Sequence, residues 1–223
     1  MKIIKNKFLI SPGDLNNFVA CKFTIKNEIK FHNKEISKSE EKVNDKLWKK
    51  MGIEHEKKYF QILKDKYKKS ISIKSDLDEK NRFDETLRAM EKGYELIYHA
   101  YLIDGELRGE ADFLIKCSTP SKFGDYSYEV YDTKITRNLR PRHLTQITAY
   151  SDMVGKIQKI LPDKMYLIDG SDEAHSFKTI EYIDLFNHGK KEFLKFLSNV
   201  NKEKIYPEKC SYCNLCDWRD VCD

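Results

Sequence analysis

The chain has 223 residues, a length typical of one well-buried domain or of one domain with a small appendage. Its 41 lysines and arginines against 36 aspartates and glutamates leave a net charge of +5, which permits nucleic-acid binding without requiring it. No apolar run approaches the roughly 18 residues of a membrane-spanning helix, and neither a linker nor an internal repeat divides the chain. A membrane protein and a repeat array are therefore excluded, and we expect one domain over residues 1–223.

The N-terminal part, residues 1–50, is predicted to be mainly helical. Residues 1–10 carry charges within an apolar run and lack a small-residue cleavage site, so they predict a first strand rather than a signal peptide. The chain is then expected to be cytoplasmic, where thiols stay reduced. Ser11 followed by Pro12 is a helix-start signal, and an apolar stripe continues from it to Cys21. Residues 26–47 are charged and weakly periodic, which leaves both a helix and a mobile segment open.

Residues 51–200 carry the stronger patterns of the predicted core. Apolar residues at helical spacing predict a long amphipathic helix over residues 45–67, which contains Gly52-x-x-His55-Glu56. A further helix is predicted over residues 83–91, because Gly93 just after it is a natural helix end.

The middle of the chain changes to strand patterns. Residues 95–103 and 107–116 are rich in β-forming side chains and are joined by Asp104-Gly105, a strong hairpin signal. A third strand is predicted over residues 126–135.

The remaining elements alternate between the two types. A helix is predicted over residues 143–153, strands over residues 165–168 and 177–183, and a last helix over residues 185–200. This order predicts an α/β fold in which a mixed central sheet is flanked by helices.

The tail, residues 201–223, contains four of the six cysteines of the chain, spaced Cys210-x2-Cys213-x2-Cys216-x5-Cys222. Thiolates separated by two residues converge on one centre because the short loops can wrap a single point. The spacing predicts a metal or iron–sulfur site, and it resembles a ferredoxin pattern except in its last gap.

Two acids and a lysine are predicted to meet at the ends of neighbouring strands. Asp112 follows Gly109 on the second strand, and Asp132-Thr133-Lys134 lies on the third. Alternation places Asp132 and Lys134 on one face, with Thr133 pointing away. Two carboxylates form an oxygen-rich site for Mg²⁺ or Mn²⁺, and a lysine beside them can offset charge that develops on a phosphate. An isolated Asp-x-Lys occurs often by accident, so the pattern is informative only together with other motifs of the chain.

The ordered set resembles one family. Gly52-x-x-His55-Glu56, Gly109-x-x-Asp112, Asp132-x-Lys134 and Gln146-x3-Tyr150, closed by the cysteine tail, are similar to the RecB-like nucleases of the PD-(D/E)xK superfamily. The similarity is greatest to their iron–sulfur branch, which includes the CRISPR adaptation exonucleases and the nucleases joined to superfamily I helicases. It runs from about Ser11 to Cys222 and implies a restriction-endonuclease-like fold with an iron–sulfur tail.

The resemblance implies a role for each matching residue. His55, Asp112 and Asp132 correspond to metal ligands, together with the backbone carbonyl of Ile135. The matching catalytic lysine is Lys134, and the residues that brace the site or contact the cut strand are Gln146 and Tyr150. The family often has glutamate where this chain has Asp132, a difference of one methylene group.

The family arrangement also implies a ligand set for a 4Fe–4S cluster. It pairs one N-terminal cysteine, Cys21, with Cys213, Cys216 and Cys222, and it leaves Cys210 spare. A set formed by the four tail cysteines alone remains open on spacing, and zinc remains the alternative occupant. Cys117, after the second strand, is expected to be a buried apolar filler.

The implied function is a Mg²⁺- or Mn²⁺-dependent DNA nuclease, an exonuclease that acts on single-stranded DNA or on DNA ends. Basic residues beyond the lysine are candidate DNA contacts, namely Arg137, Arg140 and Arg142. A helicase or an integrase-type complex is the implied protein partner. The alternative is a non-catalytic nuclease fold that binds DNA or a protein and whose cysteine site is structural.

Overall fold

The computed structural model describes residues 1–4 and 7–222. Within them the helices are α1 Pro12–Ala20, α2 Phe23–His32, α3 Val43–Lys66, α4 Glu79–Glu91, α5 Pro141–Gln158 and α6 Ile180–Asn199. The strands are β1 Lys2–Ile4, β2 Lys7–Leu9, β3 Ser70–Ser72, β4 Leu96–Asp104, β5 Leu107–Cys117, β6 Ser127–Thr133, β7 Lys164–Ile168 and β8 Ala174–Lys178. A short 3-10 helix, Ser211–Leu215, lies in the tail.

The N-terminal segment forms a small hairpin rather than the single strand predicted over residues 1–10. β1 and β2 pair antiparallel, and the predicted strand's Lys5 and Asn6 lie outside the described residues. Ile10 then joins the main sheet, since its backbone N–H donates to the carbonyl of Glu106 at 2.9 Å. The segment left open over residues 26–47 contains the end of α2 and the start of α3, separated by residues without regular structure.

The main sheet has six strands in the order β3-β4-β5-β6-β7-β8. β4, β5 and β6 form an antiparallel meander, whereas β6 and β7 are parallel because α5 crosses between them. β3 pairs parallel with β4 at one edge, and β8 pairs antiparallel with β7 at the other. The predicted mixed sheet flanked by helices is confirmed.

Helices cover both faces of the sheet. The larger core lies between the sheet and α1, α4, α5 and α6, and includes Met90, Tyr128 and Phe193. On the opposite face, Leu63 of α3 packs near Tyr98 and Phe113. No helix among the described residues is long and apolar enough to span a bilayer.

The strand predicted over residues 177–183 is wrong beyond Lys178. Thr179 precedes helix α6, and Ile183 and Phe186 face the core at helical spacing. Residues 180–183 contain β-forming side chains, but tertiary packing of the amphipathic helix outweighs that local preference. The three-residue strand β3 was not predicted, because so short a segment carries no periodic signal.

Candidate active site

The sheet is irregular at the point where β4 and β5 carry His99 and Asp112. The pairing runs through Tyr98 and Phe113 and resumes at Ala100 and Ala111, which leaves His99 and Asp112 between them unpaired. His99 has a φ of 57°, in the left-handed region that a histidine seldom occupies within a strand. Such backbone strain often marks a functional position.

The irregularity changes which residues face the larger core. On one side of it Ile97 and Leu114 belong to that core, whereas on the other side Ala100 and Ala111 do. Strict alternation would have kept Ile97 and Ala100 on opposite faces. The alternation of side chains between the two faces therefore shifts by one residue at His99 on β4 and at Asp112 on β5.

β5 and β6 also separate at this point. Their pairing ends at Phe113 and Tyr131, the chain neighbours of Asp112 on β5 and of Asp132 on β6. Asp112 therefore lies in the middle of its strand, not at the end where it was expected. The two carboxylates come together at the opening between the strands.

Thr133 holds Asp112 in place. Its backbone N–H and its Oγ1 each donate to Oδ2 of Asp112 at 2.7 Å. The expectation that Thr133 points away from the site is wrong, because the strands separate here and its hydroxyl can reach across to β5.

Burial and mutual repulsion oppose ionisation of the acid pair. Burial and the neighbouring charge of Asp132 raise the pKa of Asp112 well above its ordinary value. Burial also raises the pKa of Asp132, which is fully buried, although the charge of Lys134 opposes that rise. Such a pair tends to hold a proton unless a cation offsets the charge, which is the electrostatic character of a cation site.

Lys134 is ion-paired with Asp132 and donates to the carbonyl of Thr133 at 3.1 Å. Burial would lower the pKa of Lys134, but the charges of Asp132 and Asp112 raise it above its ordinary value. Lys134 therefore stays positively charged within the site.

Gln146 and Tyr150 of α5 reach the acid pair from the side of the larger core. Nε2 of Gln146 lies 3.4 Å from Oδ1 of Asp132 and 3.4 Å from the hydroxyl of Tyr150. Burial and the charge of Asp132 raise the pKa of Tyr150, so its hydroxyl remains protonated. The structure thus brings together Asp112, Asp132, Lys134, Gln146 and Tyr150.

Glu56 is a residue of the site to which the sequence analysis gave no role. Its Oε1 lies 2.5 Å from Nε2 of His99, and its negative charge raises the pKa values of Asp112, Asp132 and Lys134. Burial would raise the pKa of Glu56, but hydrogen bonds with His99 and Tyr98 lower it. The signal was present as the residue after His55, although only the orientation of α3 shows which side chain faces the acids.

His55 faces the turn between β7 and β8. Its Nδ1 lies 3.6 Å from Oδ1 of Asp172. Its Nε2 is buried and has no hydrogen-bond partner among residues 1–4 and 7–222. An imidazole nitrogen in that state is available as a metal ligand.

The carbonyl of Ile135 lies against Gly170 of the same turn. A Cβ at position 170 would come within 2.2 Å of that oxygen, so the turn requires glycine at this close approach.

The predicted metal ligands do not form a compact set. Among the described residues, the group whose ligand atoms all lie within 4.8 Å of one another is Asp169 and Glu173 of the β7–β8 turn with His175 of β8. Oδ1 of Asp169 already accepts hydrogen bonds from the backbone N–H groups of Ser171 and Glu173, and its Oδ2 lies 3.0 Å from Nε2 of His175. Asp112 and Asp132 are not members of that group.

The three predicted arginine contacts are exposed and follow Lys134. Arg140 and Arg142 line the same cavity as Lys134, whereas Arg137 does not. His143, beside them, has its pKa lowered to about 4 by burial and by the charges of Lys134 and the two arginines. It is therefore neutral near pH 7.

A second site lies where the tail meets α1 and α2. A cavity of about 300 Å³ is lined by five cysteines, namely Cys21, Cys210, Cys213, Cys216 and Cys222. The tail is therefore folded back onto Cys21. Cys117 lies elsewhere, with its Sγ 3.1 Å from Oγ of Ser127.

The distances between the cysteine sulfurs bear on whether this cavity suits a zinc ion or a 4Fe–4S cluster. Cys210 and Cys213 have their Sγ atoms 3.9 Å apart. No three cysteines of the described part have sulfurs all within 4.8 Å of one another, although a tetrahedral zinc ion would hold them that closely. A 4Fe–4S cube binds each thiolate through a different iron and spaces the sulfurs farther apart. The 3.9 Å pair matches the spacing of two thiolates on one zinc ion, whereas the wider spacing of the other thiols matches a cluster.

Comparison with known proteins gives a family. The family model described as the PD-(D/E)XK nuclease superfamily matches residues 29–223, most of the chain. No curated protein matches the chain. The chain belongs to the PD-(D/E)XK nuclease superfamily, and its sheet with flanking helices is consistent with the restriction-endonuclease-like fold.

Proposed function

We propose that this member of the PD-(D/E)XK nuclease superfamily is a Mg²⁺- or Mn²⁺-dependent DNA exonuclease of the RecB-like iron–sulfur type, acting on single-stranded DNA or on DNA ends. The observation that carries the proposal is the acid pair of Asp112 and Asp132 with the charged Lys134 ion-paired beside it. Three such groups at the opening between two strands suit hydrolysis of a phosphodiester bond.

Asp112 and Asp132 would hold the divalent ion, with His55 and the carbonyl of Ile135 as further ligands. When bound, the ion supplies a Lewis acid and lowers the pKa of water. Glu56 adds a third carboxylate beside the pair, and His99 fixes its orientation. Two carboxylates held by Thr133 and Gln146 are pre-oriented for a cation.

Lys134 remains charged and so can stabilise the negative charge that grows on the phosphate oxygens. Water adds to phosphorus, the bond from phosphorus to the 3′ oxygen breaks, and that oxygen takes up a proton. The products are a 5′-phosphate and a 3′-hydroxyl. Gln146 and Tyr150 hold the acid pair in position from α5.

The cysteine cavity would hold a 4Fe–4S cluster with a structural role. A cluster bound by Cys21 and by tail cysteines would fasten the C-terminal tail to α1, far away in sequence. A helicase or an integrase-type complex is the proposed partner on the family resemblance.

The test is digestion of end-labelled single-stranded and double-stranded DNA with Mg²⁺, with Mn²⁺ and with a chelator. We expect metal-dependent cleavage by the parent, with none by Asp132→Asn or Lys134→Ala. Lys134→Ala should still bind the metal, because its role is charge stabilisation. Lys164→Ala, an exposed lysine on the neighbouring strand β7, is the control and should cut normally.

The result that would overturn the proposal is a parent protein that binds DNA without cutting it in either metal. That result would favour a non-catalytic nuclease fold. Cleavage at the parent rate by Asp132→Asn would remove this carboxylate from the mechanism.

A further inference from the structure

A wide groove begins at Lys134 and leads away from the acid pair. Its volume is about 990 Å³. One wall is formed by the loop before α3 and the start of that helix, and the other by the start of α5 and by tail residues Leu215, Asp217 and Arg219. The groove therefore connects the proposed catalytic lysine with the folded-back tail.

Trp48 of α3 stands in the first wall with 56% of its surface exposed. Tryptophan is highly buried on average, so an indole that is more than half exposed within a groove is unusual. The other tryptophan, Trp218, is 3% exposed and packs against Phe31 with ring centroids 5.7 Å apart. Trp48 thus offers a flat aromatic face within the groove.

The charges of the groove favour an anion. Its six basic residues, Lys38, Lys49, Lys134, Arg140, Arg142 and Arg219, outnumber its four acidic ones, Glu40, Glu41, Asp45 and Asp217. Glu41 is ion-paired with Lys49, and Asp217 lies 3.1 Å from Lys38. Arg140 and Arg142 are exposed and form no ion pair within the described part of the chain.

We propose that a single strand of nucleic acid lies in this groove, with one base stacked on Trp48 and with phosphates at Arg140 and Arg142. An aromatic face together with a basic groove is the combination that binds single strands without reading their sequence. A duplex fits less well, because the faces of its bases are covered by their neighbours. This inference rests on the proposed nuclease function, since it supplies the path by which a strand reaches Lys134.

The experiment measures oligonucleotide binding by the full-length protein in a chelator, so that cleavage plays no part. In a Trp218→Phe variant, the fluorescence of Trp48 should be quenched by a single-stranded oligonucleotide and much less by the duplex of the same sequence. Trp48→Ala in the parent should weaken single-strand binding, measured by anisotropy, roughly 10-fold or more. This second measurement does not depend on how well the Trp218→Phe variant folds.

Two exposed neighbours on α3 are matched controls. Leu47 is 53% exposed and does not line the groove, so Leu47→Ala should bind as the parent does. Arg142→Gln should reduce the dependence of affinity on salt by about one phosphate contact, whereas Lys50→Gln, also outside the groove, should not.

Unchanged affinity in Trp48→Ala would overturn the inference, as would equal quenching by single strand and duplex. Equal losses of single-strand affinity in Trp48→Ala and Leu47→Ala would also overturn it, because Leu47 lies outside the groove. The inference can fail alone, if DNA is cut normally while Trp48→Ala binds normally. The proposed function can fail alone, if binding needs Trp48 but no DNA is cut.

Discussion

The ring of Tyr150 lies directly against Gly109, so that a Cβ at position 109 would come within 2.8 Å of Cε1 of Tyr150. Gly109 on β5 thereby makes room for the side chain that contacts Gln146 beside the acid pair. This contact links two sequence motifs, Gly109-x-x-Asp112 and Gln146-x3-Tyr150. Glycine is required here by space, because Gly109 does not have a positive φ.

The first prediction concerns this contact. Gly109→Ala should lower the free energy of unfolding by about 1–3 kcal/mol through overpacking, and it should lower the cleavage rate by displacing Tyr150. Gly52→Ala is the matched control, because no heavy atom lies within 4 Å of a Cβ there. That variant should be neutral or more stable by up to ~1 kcal/mol, since alanine favours a helix. Chemical denaturation and a cleavage assay measure both effects, and equal destabilisation by the two variants would contradict the steric argument.

Glu56 provides the second prediction. Glu56→Gln should weaken Mn²⁺ binding by roughly 10–100-fold, because it removes a negative charge beside Asp112 and Asp132. Glu54→Gln changes a carboxylate with 64% of its side chain exposed on the same helix and should leave the affinity unaltered. Calorimetric titration of the metal-free proteins distinguishes the two. Parent-like affinity in Glu56→Gln would show that the charge of Glu56 does not reach the ion.

His99 explains part of what the sequence could and could not predict. The pair Asp132 and Lys134 was predicted correctly on one face because β6 stays paired with β7 up to Thr133. The neighbourhood of Asp112 was not predicted, because the period of two fails where His99 adopts a φ of 57°. A single left-handed residue within a strand cannot be recognised from the hydrophobic periodicity of the sequence.

Glu56 and His55 illustrate a second limit. Consecutive residues on a helix point about 100° apart, and only the packing of α3 on β4 and β6 decides which of them faces the acids. The sequence therefore predicted that this segment contributes to the site, whereas the contacts of each side chain required the tertiary structure. Thr133 was assigned to the wrong side for the related reason that separation of β5 and β6 was not foreseen.

The third prediction is a dependence of metal binding on pH. The raised pKa values of Asp112 and Asp132 mean that the metal-free site holds a proton which a cation must displace. Mn²⁺ affinity should therefore rise between about pH 6 and about pH 8, a range in which ordinary carboxylates are fully ionised. Calorimetry in two buffers of different ionisation enthalpy counts the protons released, and Asp112→Asn should release fewer.

The same shift has a consequence for the metal-free protein. A carboxyl whose pKa is raised on folding keeps a proton that the unfolded chain has already lost, so its contribution to stability falls as pH rises above the ordinary pKa. Asp112→Asn should remove part of that fall, which thermal unfolding in a chelator can measure. Metal binding without proton release, or a parent whose stability does not fall more steeply than that of Asp112→Asn, would contradict the proposed electrostatics.

The last prediction concerns which thiols hold the cluster. Cys21→Ser and Cys216→Ser should each lose iron and stability, whereas Cys210→Ser and Cys117→Ser should be mild. Cys21 is held rigidly at the end of α1, since its N–H donates to the carbonyl of Asn17 at 2.9 Å and its own carbonyl accepts from Thr24 Oγ1 at 2.7 Å. Burial and the charges of Cys222 and Cys21 raise the pKa of Cys216, which places these three sulfurs near one another.

Cys210 is the residue on which this prediction depends most, because it lines the same cavity and its Sγ lies 3.9 Å from that of Cys213. Its position alone does not exclude it from the ligand set, so the variants must be compared after anaerobic purification by iron content, visible absorbance and unfolding temperature. Cys117→Ser is the control for loss of a thiol outside the cavity. If Cys210→Ser loses the iron while Cys21→Ser keeps it, the cluster is held by the four tail cysteines. In that case it would not join the two ends of the chain, and its removal should leave the unfolding temperature of the nuclease core nearly unchanged.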